Sequence, residues 1–133
     1  MWYYNEQPFE GPIDDWYGFV YLITETSTNK KYVGKKFFWK KKTLPPLKGQ
    51  KRKRRSIVES DWKEYYGSNQ QLQENVAQNP DNYHREILHF CKKRADCSYY
   101  EIKEQIDRNV LFNDDYYNEF IGCKIHSKHL TNE

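Results

Sequence analysis

The sequence predicts an α/β domain with a small, three-stranded, mostly antiparallel sheet flanked by helices. Two segments rich in aromatic and β-branched residues, 17–25 and 31–33, enclose five turn-forming residues, and this is the pattern of a β-hairpin. A third segment of that kind, 83–91, follows helical patterns and precedes the most regular helical pattern of the chain. The order hairpin, helices, strand, helix defines the fold class.

The N-terminal half divides into a lead-in and the start of one domain. Residues 1–16 are interpreted as an N-terminal lead-in, and residues 17–133 as a single domain that begins with the hairpin. After the hairpin, residues 35–42 predict the start of a helix, which Pro45–Pro46 ends because proline cannot continue it. The segment near 43–56 then reads as an exposed, basic, inserted loop.

The C-terminal half alternates helices with the third strand. A short helix is predicted over 60–66, with a serine cap and a glycine after its end. A Ser-x-x-Gln capping box at 68–71 predicts a second helix that reaches Val76. The longest helix is predicted over 98–112, where apolar residues recur at helical spacing. A last extended segment is expected within 116–126.

Composition limits the class of protein. The chain has 133 residues, of which 37% are hydrophobic and 31% charged, so we expect one soluble domain. No apolar run approaches the roughly 20 residues of a membrane span, and no secretory signal pattern is present. Cys91, Cys97 and Cys123 are an odd number and fit reduced thiols, so a cytoplasmic location is predicted.

Positive charge is concentrated in one block. Residues 35–55 hold 11 of the 22 lysines and arginines and no carboxylate, which leaves 11 basic and 19 acidic residues elsewhere, a net charge of −8. A chain that is acidic outside one basic block indicates a polyanionic partner, with nucleic acid as the first candidate. The alternatives are a solvated loop and a localisation signal. The predicted nucleic-acid contacts are Lys36, Lys40, Lys41, Lys42, Lys51, Arg52, Lys53 and Arg54.

Two tripeptides on the predicted hairpin carry a family resemblance. Phe19-Val20-Tyr21 and Tyr32-Val33-Gly34 place two tyrosines eleven residues apart, on opposite strands. They resemble the Gly-Ile-Tyr and Tyr-Ile-Gly motifs of the GIY-YIG nuclease family at the usual hairpin spacing. The first motif departs from the pattern because Phe19 replaces glycine, although Gly18 lies beside it.

The resemblance covers roughly residues 17–118, and the layout is similar to phage-type members, including Seg-like homing endonucleases. It implies metal-dependent hydrolysis of phosphodiester bonds in DNA, with Mg²⁺ or Mn²⁺ as cofactor. One such domain nicks one strand, so a double-strand break would need a homodimer or two events. A phage-encoded member would act in the host-cell cytoplasm. The alternatives are an inactive nucleic-acid-binding module on the same fold and an RNA-directed protein.

The resemblance also implies roles for single residues. Tyr21 and Tyr32 would line the site, one of them positioning or deprotonating the attacking water. A free tyrosine has a pKa near 10, so a base at neutral pH would need Lys35 or the metal to favour the phenolate. Lys35 would support the nucleophile or contact phosphate. Glu101 would hold the metal, with Glu104 as the alternative ligand and a helix cap as the alternative role of Glu101.

The family's arginine and asparagine are carried over less directly. The usual arginine position is Lys42 here, and lysine lacks the planar fork that binds phosphate bidentately. An insertion over 45–53 would instead deliver Arg54 or Arg55, and we predict Arg55. Asn118 resembles the late family asparagine that supports the site, with a turn residue as the alternative.

Overall fold

The computed structural model describes residues 1–122, so Cys123 and the end of the predicted last extended segment lie outside the described residues. The strands are β1 (Trp2–Tyr4), β2 (Gln7–Phe9), β3 (Gly18–Glu25), β4 (Lys31–Phe37), β5 (Trp39–Leu44), β6 (Arg54–Glu59) and β7 (Tyr83–Cys91). The helices are α1 (Gln70–Gln78) and α2 (Arg94–Asp107), and short 3-10 turns lie at Trp62–Glu64, Pro80–Asn82 and Val110–Phe112.

The main sheet has five strands in the order β2-β1-β7-β3-β4. β3 pairs antiparallel with both β4 and β7, and these three strands are the ones that the sequence predicts. β1 pairs parallel with β7, with Trp2 opposite Arg85, and β2 pairs antiparallel with β1. The predicted α/β class is therefore confirmed. The prediction of a three-stranded sheet is wrong, because β1 and β2, from the expected lead-in, add two strands.

The basic segment is a second, separate sheet. β5 and β6 pair antiparallel from Trp39 opposite Glu59 to Leu44 opposite Arg54. The helix predicted over 35–42 is wrong, since β4 extends to Phe37 and β5 follows almost at once. The predicted loop near 43–56 is correspondingly shorter, because the strands flank it on both sides.

The helix boundaries follow local capping chemistry. Asn69, rather than Ser68, caps α1, since its Oδ1 accepts a hydrogen bond of 3.0 Å from the Leu72 amide. α2 begins at Arg94, so Ser98 lies inside the helix and cannot cap it. The helix predicted over 60–66 reduces to a 3-10 turn. Among residues 1–122, no helix is long and apolar enough to cross a membrane.

Alternate residues of β3 feed two hydrophobic clusters, as expected for a strand covered on both faces. Phe19 and Tyr21 join the cluster that includes Trp2 and Trp62, together with residues of α1. Val20 joins the other cluster, which includes Cys97 of α2. The sheet is therefore enclosed between α1 and α2, and β4 forms its edge next to the site described below.

Candidate active site

A cleft of about 230 Å³ lies between β4, α2 and the segment that follows the last 3-10 turn. It brings together four of the predicted site residues from three separate parts of the sequence: Tyr32 and Lys35 of β4, Glu101 of α2, and Asn118. The remaining lining residues are Ser68, Asn69, Gln105, Glu119, Phe120 and Gly122.

Tyr32 presents its hydroxyl to this cleft. The Tyr32 hydroxyl lies 2.9 Å from Ser68 Oγ and is hydrogen-bonded to it. Burial raises the pKa of Tyr32 above its usual value, and the hydrogen bond with Ser68 opposes this only in part. The phenol is therefore protonated at neutral pH, and it is suited to orienting a water or donating to a phosphate oxygen.

Tyr21 has a different environment, although its motif mirrors that of Tyr32. Its side chain is 1% exposed and packs edge-on against Trp2, with the ring centroids 5.4 Å apart. Burial, followed by the neighbouring hydroxyls of Tyr65 and Tyr32, raises the pKa of Tyr21 well above its usual value. Tyr21 is not among the residues that line the cleft. A role as general base is unfavourable for it, whereas support of the Tyr32 ring is compatible with its position.

Gly34 makes room for Tyr21. The two residues are opposite each other in the β3–β4 ladder. A Cβ atom at position 34 would collide with the Tyr21 hydroxyl and would lie only 2.7 Å from Tyr21 Cζ. The glycine of the second motif is thus required by the tyrosine of the first motif.

Lys35 and Glu101 form the charged pair of the cleft. Lys35 Nζ lies 3.8 Å from Glu101 Oε1 and donates a hydrogen bond of 3.0 Å to Ser98 Oγ. The Glu101 side chain is only 14% exposed, and burial raises its pKa while Lys35 opposes that rise. Glu101 does not act as the predicted alternative, a helix cap, because α2 begins seven residues earlier.

Glu104 is engaged away from the cleft. Its carboxylate contacts His89 Nε2 at 2.8 Å and accepts a hydrogen bond from Arg108 Nε at 2.9 Å. Burial raises the pKa of Glu104, but these two partners hold it below its usual value overall. Of these two glutamates, Glu101 lines the cleft and Glu104 does not.

The side chains of Asn118 and Gln105 hold the backbone of the second motif at Val33. Asn118 Oδ1 accepts from the Val33 amide at 3.0 Å, and its Nδ2 donates to the Val33 carbonyl at 2.8 Å. Gln105 Nε2 donates to the same carbonyl at 3.1 Å. Both side chains are buried, so they hold the strand between Tyr32 and Lys35 in place. Asn118 thus supports the strand that carries Tyr32 and Lys35.

The oxygen atoms of the cleft fit the divalent cation that the resemblance implies. Mg²⁺ prefers oxygen ligands and keeps several waters, so one carboxylate can hold it. Glu101 would supply that carboxylate, and Ser68 and Glu119 add a hydroxyl and a second carboxylate to the lining of the same cleft. Gln105 Oε1 is buried without a hydrogen-bond partner in the described part of the chain, which is typical of a place where water or an ion completes the bonding. Residues 1–122 contain no cluster of three or more histidine, cysteine, aspartate or glutamate side chains, as a structural zinc site would need.

The structure does not bring the predicted arginine to the cleft. Arg55 is exposed on β6 opposite Thr43, and it is not one of the lining residues. Lys36 follows Lys35 on β4 but is not one of the lining residues, and it pairs with Asp61 at 2.7 Å and lies 4.1 Å from the Tyr65 ring centroid. The other predicted nucleic-acid contacts are exposed on β5, on β6 or between them: Lys40, Lys41, Lys42, Lys51, Arg52, Lys53 and Arg54.

Sequence reasoning missed Ser68, Ser98 and Gln105. Gln105 follows Glu101 by four residues, so both must lie on the same face of α2, and this spacing was the available signal. Ser68 and Ser98 carry capping patterns in the sequence, and those patterns concealed their contacts with Tyr32 and Lys35.

A family model described as "Putative endonuclease segE, GIY-YIG domain" matches residues 2–121, which is almost the whole chain. The chain belongs to the GIY-YIG nuclease family. The match confirms the Seg-like type that the layout of the sequence indicates. The match begins at residue 2, which is the first residue of β1. Neither curated proteins nor solved structures gave a match.

Proposed function

We propose that this GIY-YIG domain is a metal-dependent DNA endonuclease of the phage homing-endonuclease kind, which hydrolyses phosphodiester bonds with Mg²⁺ or Mn²⁺. The observation that carries the proposal is the convergence of Tyr32, Lys35 and Glu101 in one cleft, from β4 and α2. Hydrolysis needs an aimed water and positive charge facing the phosphoryl oxygens, and these residue types supply both.

Each residue contributes a distinct part of the reaction. The Tyr32 hydroxyl, held by Ser68, orients the attacking water or donates to the phosphate. Lys35 opposes the rise that burial causes in the pKa of Glu101, and it directs positive charge to the phosphate. Glu101 would hold the cation, and a bound Mg²⁺ supplies Lewis-acid stabilisation of the charge that develops on the phosphoryl group. Asn118 and Gln105 keep the strand that carries Tyr32 and Lys35 in register.

The inactive binding module remains the second candidate. Its support is that Lys42 stands at the family's arginine position and that no arginine lines the cleft in the described part of the chain. The altered first motif adds little to that case. Phe19 is fully buried in the core beside Trp2, at a ring distance of 4.9 Å, and it does not reach the cleft.

The proposed substrate sets the expected products. One cleft per chain cuts one strand, so open-circular plasmid is the expected first product. A double-strand break requires a homodimer or two successive cuts. For a phage-encoded enzyme, the host-cell cytoplasm is the proposed place of action.

The test incubates the purified protein with supercoiled plasmid and with a pool of random-sequence duplexes, in Mg²⁺ or in EDTA. Glu101→Gln keeps the side-chain shape and removes the charge, and Glu74→Gln on the exposed face of α1 is the matched control. We expect metal-dependent cleavage by the wild type and by Glu74→Gln, with a loss of at least about 10²-fold in Glu101→Gln. Binding at low salt without cleavage on either substrate would favour the inactive module.

A further inference from the structure

The segment 39–59, here called the basic arm, is a two-stranded ribbon whose strands pair with each other and with no other strand of residues 1–122. It consists of β5, β6 and the connection 45–53, and it forms a sheet separate from the main one. It holds nine lysines and arginines and one carboxylate. That carboxylate, Glu59, lies at the base of the arm and accepts a hydrogen bond of 2.8 Å from Trp62 Nε1.

The base of the arm is fixed to the core. Trp39 Nε1 donates to the Trp16 carbonyl at 2.9 Å, and Ser60 donates through its amide to the Phe38 carbonyl at 2.7 Å. Phe38 is fully buried and packs edge-on against Trp62, with centroids 5.0 Å apart. These contacts set the direction in which the ribbon leaves the domain.

The two faces of the ribbon differ in composition. The register places Lys41 opposite Ile57 and Thr43 opposite Arg55, so these four side chains share one face, here called the Lys41 face. All four are exposed, and Ile57 is 68% exposed. The opposite face carries Lys40, Lys42 and Arg54 beside the half-buried Leu44, Ser56 and Val58.

The charge of the arm is not balanced within the described residues. The ion pairs of residues 1–122 all lie outside the arm. A positive ribbon with a mixed face of donors and apolar groups has the chemistry that recognises base edges between phosphates. Arginine and lysine hydrogen-bond to guanine, while the methyl group of threonine and other apolar groups contact the thymine methyl group.

We propose that the basic arm lies in the major groove of duplex DNA, with the Lys41 face toward the base edges and the flanking basic residues toward phosphates. This inference rests on DNA as the proposed substrate and names the element that selects the sequence. The major groove is about 12 Å wide and admits a two-stranded ribbon, whereas the minor groove is about 6 Å wide. The six-residue strands extend about 20 Å at about 3.3 Å per residue, which is enough to follow several base pairs.

Groove-specific competitors test the wild-type protein directly. Binding to a duplex of about 24 base pairs is followed by fluorescence anisotropy in EDTA, so cleavage cannot interfere. We expect methyl green, a major-groove ligand, to weaken binding at least about 10-fold, and netropsin, a minor-groove ligand, to change it less than about 2-fold. An RNA duplex of the same sequence should bind much more weakly, because its major groove is deep and narrow. Insensitivity to methyl green, or equal affinity for RNA, would overturn the inference.

Two charge-matched variants test the assignment of faces. Lys41→Gln with Arg55→Gln alters the Lys41 face, and Lys40→Gln with Arg54→Gln removes the same charge from the opposite face. After selection from random-sequence duplexes, we expect the first variant to lose about 5- to 150-fold of the preference for the wild-type motif. The second should keep the motif and lower the slope of log affinity against log salt by up to about 1.8.

The outcomes separate this inference from the proposed function. Both variants must unfold at the wild-type temperature, which the exposure of the four positions leads us to expect. Equal motif preference in the two variants would refute the Lys41-face assignment even if the protein cleaves DNA. Motif loss in the first variant would uphold it even if the plasmid assay finds no cleavage.

Discussion

The cleft and the basic arm use positive charge in opposite ways. In the cleft, Lys35 is hydrogen-bonded to Ser98 and lies beside the largely buried Glu101, so its charge acts on one neighbour at short range. On the arm, nine basic side chains lie outside every ion pair of the described residues. Salt screens exposed charges much more than partly buried ones. Screening or removing the exposed charges of the arm should therefore change affinity for a polyanion. Changes to Lys35 or Glu101 should instead change the chemistry at the cleft.

The largest expected effect is a difference in cleavage rate between variants of the two motif tyrosines, Tyr32 and Tyr21. Tyr32→Phe removes a hydroxyl that faces the cleft, so we expect single-turnover cleavage to fall about 10²-fold or more. Affinity for DNA, which we propose to depend on the arm, should change less than about 2-fold. Tyr21→Phe is the matched variant and should lose less than about 10-fold, because Tyr21 lies outside the cleft lining. An equal loss in both variants would give Tyr21 a direct part in the chemistry.

The next effect tests whether the cleft depends on its supporting strand. Asn118→Ala leaves the buried Val33 amide without its acceptor, so the free energy of unfolding should fall by about 1–3 kcal/mol. Asn113→Ala is the control, since the Asn113 side chain accepts an exposed hydrogen bond of 2.9 Å from the Asp115 amide. Urea denaturation measures both variants, and a loss no greater than that of the control would show that Asn118 is a simple turn residue.

The pH dependence of cleavage distinguishes the lysine of the cleft from those of the arm. Burial raises the pKa of Glu101 and Lys35 opposes the rise, so Lys35→Met should let that pKa rise further. The carboxylate form is lost as the pH falls through this pKa, and the acid limb of the pH–rate profile should therefore move to higher pH. Lys53→Met on the exposed arm should lower affinity and leave the acid limb in place. An unmoved limb in Lys35→Met would exclude the proposed control of Glu101.

The smallest expected effect concerns folding. Ile57→Thr on the Lys41 face should change the free energy of unfolding by no more than about 0.5 kcal/mol, because the side chain is 68% exposed. Ile87→Thr in β7 should cost well over 1 kcal/mol, since it puts a hydroxyl at a core position that is 4% exposed. Thermal or urea unfolding of the two variants compares them. A large loss in Ile57→Thr would show that the arm packs on the rest of the domain.

The sequence predicts the elements whose signals are local. Residues 17–25 and 31–33 are rich in aromatic and β-branched types around a turn, so the hairpin is readable without tertiary information, although the extension of β4 to Phe37 is not. β1 and β2 are three residues each, and β1 is held by a parallel partner in β7, for which no local pattern exists. The strands of the arm were missed for a similar reason, because lysine-rich segments have low strand propensity and their pairing decides the outcome.

The candidate site was predictable where the family pattern names residues. Tyr32, Lys35, Glu101 and Asn118 are brought to one cleft, although their chemical roles stay predictions. Arg55 illustrates the limit, because a position reached through an insertion depends on the path of the inserted chain, and this path leads away from the cleft lining. Lys42, the alternative position, is also on the exposed arm.

The placement of β7 has a consequence for synthesis of the protein. β7 lies between β1 and β3 in the sheet, yet it is translated after the other strands of residues 1–122. A nascent chain therefore carries Trp2 without its neighbour Arg85 until the ribosome has passed that codon. Until then the edges of β1 and β3 are unpaired and open to association with other chains. Protection of the nascent chain, by a chaperone or by slow release from the ribosome, should matter more for this domain than its small size suggests.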